Sequence, residues 1–275
     1  MKQKFTFLIC FLFLNALVVQ AQQASALLDT IIKKESEYRP YEYKDFPLGK
    51  YDEGVYKEEA EFAEDLIKEL NAISLKDLSR TEQVSLQLLR YKLQENVDYY
   101  HYKMYLNPVQ ADQGFHLNLN YGVRPITSYE SAKGYLNMLK AIPYFTNSQI
   151  ALMRKGLKEG ISQPKIILKG YESTYDTHIV SDPESSYFYS PFKNLPQTIS
   201  PERKDSLRAA AREVITDSVI PSFKTIKAFF ETEYIPKTRE AIGVSNQPSG
   251  ADFYQNRINY YTTSKEYTAQ DIHDI

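Results

Sequence analysis

Residues 81–104 read Thr81-Glu-Gln-Val-Ser-Leu86-Gln-Leu-Leu89-Arg-Tyr-Lys-Leu93-Gln-Glu-Asn-Val97-Asp-Tyr-Tyr100-His-Tyr-Lys-Met104. Leu86, Leu89, Leu93, Val97, Tyr100 and Met104 recur at spacings of three and four, the repeat of one helix face. The stripe lasts about five turns. Asn107-Pro108 closes it, because the residue before a proline is pushed out of helical conformation. No stretch of useful length alternates with period two. The fold class is therefore all-α, an irregular assembly of helix pairs.

The same repeat extends in both directions. Upstream, Glu53 to Ile73 places Tyr56, Ala60, Ala63, Ile67 and Leu70 on one face. Glu58, Glu59, Glu61, Glu64 and Asp65 spread over the remainder and read as a solvated face, since no histidine shares their stripe. Downstream, Thr127 to Glu130 reads as a capping box opening a helix with Ala132, Tyr135, Leu136 and Leu139. Pro143 starts or kinks a second helix with Ile150, Met153 and Leu157. Pro164 suits the first position of another, through Ile166, Ile167 and Tyr171. Ser200-Pro201 caps a long helix with Leu207, Ala211, Val214 and Ile215 on its buried side. Pro221 should kink it, and Phe223, Ile226, Phe229, Phe230 and Tyr234 carry the stripe to about Arg239. Ser245 to Gly250 is a turn and Ala251 to Tyr261 a short helix.

Two segments break the pattern. Residues 107–127 have no helical period and mix polar and aromatic side chains, including His116 and Arg124. The segment is either a plain connection or a loop that lines a site. Ser181 to Ile199 is rich in Ser, Pro and Tyr. Asp176, His178 and Asp182 near its start have no established metal-ligand spacing.

The chain opens with basic Lys2 and Lys4, an apolar run from Phe5 to Val19, and Val19-Gln20-Ala21. This predicts a secretory signal peptide over residues 1–21, cleaved after Ala21, and an exported protein, periplasmic or secreted. Cys10, the only cysteine, follows Ile9 where a lipid-attachment site needs a small residue, so no lipid anchor is expected. Without residues 1–21 the chain has no thiol chemistry and no disulfide, which fits a bacterial periplasm. Loss of Lys2 and Lys4 takes the formal charge from −2 to −4, near neutral for this length. Nucleic acid and anionic membrane surfaces are poor partners for such a chain. The 23 tyrosines, with no tryptophan, either line a sugar or peptide groove or pack at the core edge with wet hydroxyls.

At the other end, Thr268 and Asp271 form a capping box, and Ile272 and Ile275 begin an apolar stripe. A helix of about seven residues does not hold itself together in water. Residues 22–275 therefore read as the N-terminal helical part of a longer domain. There is no H-E-x-x-H, no E-x-x-H, no G-x-S-x-G and no phosphate-binding glycine loop. His101, His116, His178 and His273 are far apart in sequence. The residues themselves nominate no catalytic group and no metal ligand.

From about Leu75 to Ile275 the order of segments resembles the domain of unknown function 885 family. The segments are Ser85-Leu-Gln-Leu-Leu-Arg-Tyr-Lys-Leu93, Gly114-Phe-His116, Tyr135-Leu-Asn-Met-Leu-Lys-Ala-Ile-Pro143 and Gly156-Leu-Lys-Glu-Gly-Ile-Ser-Gln-Pro164. Then come Tyr187-Phe-Tyr-Ser-Pro-Phe192, Leu207-Arg-Ala-Ala-Ala-Arg212, Pro221, Tyr234-Ile-Pro236, Gly250-Ala-Asp-Phe-Tyr254, Tyr261-Thr-Thr263 and Thr268-Ala-Gln-Asp-Ile-His273. Tyr261 stands where the family often has histidine. The family is similar to zinc metallopeptidases of the gluzincin type. The resemblance implies a zincin-like helical fold of which this chain is the N-terminal half, with the metal motif downstream. It implies zinc as the cofactor of the intact protein, where zinc would polarise a peptide carbonyl and activate water. It further implies a short-peptide substrate and a C-terminal half as partner.

The candidate channel-lining residues are His116 and Arg124, to pair with a peptide carboxylate, and Tyr254 and Tyr261, to hydrogen-bond a backbone. The helices from Leu207 to Tyr261 should expose apolar surface without the downstream half. A binding or scaffold protein for oligosaccharide or a protein partner is the alternative reading.

Overall fold

The computed structural model describes the backbone of residues 2–275 and the side chains from Val19 onward. The signal-peptide reading and Cys10 rest on side chains outside the described residues. Among the described residues no helix is long and apolar enough to cross a membrane. The chain is helical, and no named strand occurs among the described residues. It separates into two compact units: residues up to Pro40 with Gly54–His101, and Tyr41–Glu53 with Tyr102–Ile275.

In the first unit three helices share a core: α1 (Lys2–Glu37), α2 (Glu53–Asn71) and α3 (Arg80–His101). The expected leucines of α3, Leu86, Leu89 and Leu93, meet Leu28 and Ile31 of α1 and Ala63, Leu66 and Leu70 of α2. Ile73 and Leu78 close the α2–α3 connection. The buried face of α2 is turned by about one residue from the expected one. Val55 and Leu66 are covered, whereas Tyr56 and Ile67 are only partly so. The helix α3 starts one residue early, because Ser79 and Glu82 exchange backbone-to-side-chain bonds (2.7 and 3.4 Å). It also stops early, since Lys103 turns left-handed at φ 53° before a short turn, Met104–Leu106.

The second unit is built on two long helical stretches. The first is α5 (Tyr129–Lys158), preceded by the single turn α4 (Phe115–Asn118). Its cap is Ser128 with Ser131, one residue beyond the expected Thr127. Pro143 does not start a new helix here; α5 runs through it. A mid-helix proline costs about 3 kcal/mol. Leu139, Ile142, Phe145, Ile150 and Met153 are all buried around it, at roughly 1.5–3 kcal/mol each, and outweigh that cost.

Short pieces follow: α6 (Ser173–Asp176) and α7 (Ser190–Lys193), with 3₁₀ turns between them. Ahead of α6, Pro164 leads into a further 3₁₀ turn, Lys165–Leu168, and not into a full helix. The second long stretch is α8 (Pro201–Val214), α9 (Ile220–Phe229) and α10 (Ile235–Lys237). They join without a break through two π-helical turns, Ile215–Val219 and Phe230–Tyr234. Each π turn lies directly ahead of an Ile-Pro pair, Pro221 and Pro236. The extra residue moves the backbone carbonyl that a proline ring would strike, and leaves no bond waiting for the missing N–H. The expected stripe of this stretch is buried from Leu207 to Tyr234. The expectation that it would expose apolar surface is therefore corrected: α5 and the short turns around Tyr171–Phe192 cover it.

Two buried tyrosines here satisfy their hydroxyls within the protein. Tyr135 donates to the Phe188 carbonyl (2.9 Å). Tyr234 donates to Asn107 Oδ1 (2.9 Å) and accepts from the Gln163 N–H (3.1 Å). The stretch ends at Lys237, and Arg239 does other work. Its side chain donates to the carbonyls of Ser162, Ala241, Ile242 and Gly243 (2.5–3.0 Å), gathering the loop that leads to α11 (Gly250–Thr262) and α12 (Ala269–Asp274).

Candidate functional site

The irregular segment 107–127 is held in place at several points. Val109 and Gly114 form an antiparallel bridge, and Gln163 Nε2 donates to the Val109 carbonyl (2.5 Å). Tyr171 Oη donates to the Gln113 carbonyl (3.1 Å). A Cβ on Gly114 would stand 2.5 Å from that hydroxyl, so the tyrosine can close over this segment as it does because residue 114 lacks one. Phe115, His116, Leu119 and Ile126 are buried.

His116 is wholly enclosed, at 0% exposure. Its ring lies 5.5 Å from Tyr171, 5.7 Å from Phe230 and 5.2 Å from Phe115, centre to centre. The Thr174 hydroxyl donates to the Tyr171 carbonyl (2.6 Å). It therefore accepts from His116, whose Nε2 sits 2.9 Å away. This assigns the proton to Nε2 and leaves Nδ1 as an acceptor, buried and without a partner. Burial, helped by His178, pushes the imidazole pKa down to about 3, so the ring is neutral. The reading of His116 as a partner for a peptide carboxylate is corrected. A sealed, neutral ring in an aromatic box fastens α4 to α6.

Arg124 lies on the surface, its Nε donating to the Tyr121 carbonyl (3.2 Å). Tyr254 and Tyr261 are exposed on α11, seven residues apart and therefore about 20° from one another around the helix. The Tyr261 ring meets Tyr260 edge-on at 5.2 Å. No hydrogen bond, ion pair or ring contact among the described residues joins any two of His116, Arg124, Tyr254 and Tyr261. The structure puts the two tyrosines on one face, Arg124 on an outward turn and His116 in the core.

Sequence reading passed over Tyr121, which stands out at 76% exposure beside Arg124. The available signal was a tyrosine next to Gly122 inside a segment that was already suspect.

Asp176, His178 and Asp182 are employed separately. Asp176 pairs with Lys227 (2.8 Å), and the His178 ring lies tilted against Phe223, centres 4.4 Å apart. Asp182 caps its own turn through the Glu184 N–H (3.0 Å). Among the described residues no group of three or more His, Asp, Glu or Cys side chains is arranged to hold a metal ion.

Residues 39–275 match a family described as "Bacterial protein of unknown function (DUF885)", and the chain belongs to that family. No functionally curated protein matches it. Its fold is similar to a crystal structure described as that of "the putative lipoprotein from Colwellia psychrerythraea", with TM-score 0.67 and 18% identity. The similarity covers 94% of this chain and 47% of that one, so the chain spans about half the length of its structural neighbour.

Proposed function

We propose that the chain is the N-terminal, non-catalytic helical portion of an exported zinc-dependent peptidase that acts on short peptides. The observation that carries the reading is the extent of the matches. The family spans residues 39–275, and the neighbour's fold accounts for nearly all of this chain with only 47% of its own. The resemblance to zincin-like metallopeptidases supplies the chemistry, with the metal site in the remainder of the polypeptide. The described residues do not fit a zinc site, so no step of the reaction is derived through a metal on them. Their part is to hold and orient substrate on rigid helices. Export is supported by the leader-like sequence of residues 1–21 and by the lipoprotein description attached to the neighbour. Removal of residues 1–21 would leave Gln22–Glu37 of α1, including the Leu28 and Ile31 that the first core needs.

A binding role without catalysis is favoured by one observation. Tyr41, Tyr43, Phe46 and Tyr144 form a chain of rings with centres 5.1–5.7 Å apart, and Tyr43 and Tyr144 are exposed. Such rings suit the faces of sugars as well as protein partners.

The deciding experiment compares the 275-residue chain with the intact gene product, both supplied with zinc, on a library of short peptides. The expected result is zinc-dependent cleavage by the intact product alone. Cleavage by the 275-residue chain would place the metal site among these residues. Absence of cleavage by the intact product would remove the peptidase reading.

A further inference from the structure

The Leu119–Ile126 segment is anchored at both ends and yet reaches the surface between them. Leu119 is buried on one side and Ile126 on the other. Between them a 3₁₀ turn, Leu119–Gly122, closes with the Val123 N–H on the Asn120 carbonyl (3.1 Å). Gly122 lies so close to α5 that a Cβ would stand 2.5 Å from Met138 Sδ. Val123 packs on the core. Upstream, the His116–Thr174 and Tyr171–Gln113 bonds fasten the approach to the turn. A turn so pinned has little freedom left, yet it points a tyrosine and an arginine into solvent.

The arginine is also restrained. Its Nε–H donates to the Tyr121 carbonyl (3.2 Å), which biases the orientation of the guanidinium and leaves the two Nη groups available. Arg124 forms no ion pair among the described residues, whereas most basic groups of α5 and α9 do. Lys133, Arg154, Lys155 and Lys227 all face carboxylates. A pre-oriented guanidinium edge with no acid of its own matches a carboxylate bidentately, and its planar fork is what distinguishes it from a lysine. Tyr121 beside it offers a ring face to the side chain next to that carboxylate.

We infer that Tyr121 and Arg124 form a carboxylate-recognition element for a peptide ligand, held in register by the buried His116–Thr174–Tyr171 lock. The inference rests on the peptide-binding reading above and replaces a His116–Arg124 pair with a Tyr121–Arg124 pair. His116 becomes a positioning residue that touches no ligand.

The test uses ¹⁵N-labelled 275-residue chain and two probes, N-acetyl-Ala-Ala-Tyr with a free C-terminal carboxylate and the same peptide as its C-terminal amide. The carboxylate probe should shift the Arg124 Nε–H resonance and the backbone amides of residues 119–126. The amide should bind about tenfold or more weakly. Arg124→Ala should weaken the carboxylate probe by about tenfold or more, Arg124→Lys by several-fold, and Tyr121→Ala by about three- to fivefold. All are surface changes that leave the fold intact. Equal affinity for the two probes, no binding of either, or unchanged affinity in Arg124→Ala would each overturn the inference. The two readings fail separately. Cleavage by the intact product with KM unmoved in Arg124→Ala removes the recognition element and keeps the peptidase. Probe binding at Arg124 without cleavage by the intact product does the reverse.

Discussion

Residues 129–237 and residues 243–275 belong to the same compact unit and are both mainly helical, but they are stabilised differently. In the first region α5 and the α8–α10 stretch bury most of their large apolar side chains, with Phe223, Phe230 and Tyr234 fully enclosed. In the second, α11 buries only Gly250 and Ile258, and α12 buries nothing. Yet α12 has a complete capping box, Thr268 with Asp271. The α8–α10 stretch instead begins with a longer Ser200 bond of 3.4 Å and contains two interior prolines, Pro221 and Pro236, and two π turns. Capping decides where a helix starts, and burial decides whether it persists. The open surface begins at Ile242, 71% exposed, and not at Leu207 as the sequence suggested.

The largest effect that would sharpen this contrast is expected from Phe230→Ala. Phe230 sits in the second π turn, its ring 5.2–5.8 Å from those of Tyr171, Tyr175, His116 and Tyr234. Truncation should cost about 3–5 kcal/mol, read by chemical denaturation. Loss below about 1 kcal/mol would mean that the aromatic box is loosely packed.

Acid should act on the same box. The folded-state pKa of His116 lies at about 3, below the usual 6.5, and burial depresses that of His178 as well. The unfolded chain therefore binds more protons between these limits. Stability from His116 is fully present above about pH 6.5 and is lost as pH falls toward 3. The slope is at most about 1.4 kcal/mol per pH unit for one imidazole. In His116→Phe the fall in stability between pH 6.5 and 4 should be shallower by up to one proton's worth, read from denaturant midpoints across that range. An unchanged slope would show that the imidazole is not held neutral.

Ser200→Ala removes the side-chain acceptor that starts α8 and should cost about 1 kcal/mol in thermal unfolding. The smallest effects belong to the open region. Tyr261, 78% exposed, and Ile272 should each tolerate Ala or Ser within about 0.5 kcal/mol. A cost above 1 kcal/mol at either site would show that α11 or α12 is packed after all.

The sequence carried the helix faces well, because periodicity is local. Leu86, Leu89 and Leu93, and the run from Leu207 to Tyr234, are buried as their spacing requires. It carried the Thr268 cap for the same reason. Pro143 misled because the compensating contacts come from residues far away in the chain. The π turns at Ile215 and Phe230 have no side-chain signature, since their function is to relocate a backbone carbonyl. His116 misled most. A histidine between Phe115 and a polar run looks like a loop residue until Tyr171, Tyr175 and Phe230, more than 50 positions away in sequence, close around it. Arg124 was legible as an exposed cation, but its orientation, biased by the Tyr121 carbonyl, was not.

The claim at the centre of this account is that the chain owns a complete aromatic core in its second unit and presents α11 and α12 as an open edge. Hydrogen exchange followed by mass spectrometry, on the 275-residue chain alone, tests it most directly. Peptides covering residues 132–157 and 207–235 should stay protected for hours, while those covering 251–275 exchange within seconds to minutes. Rapid exchange throughout 207–235, or protection of 251–275 equal to that of the core, would contradict it.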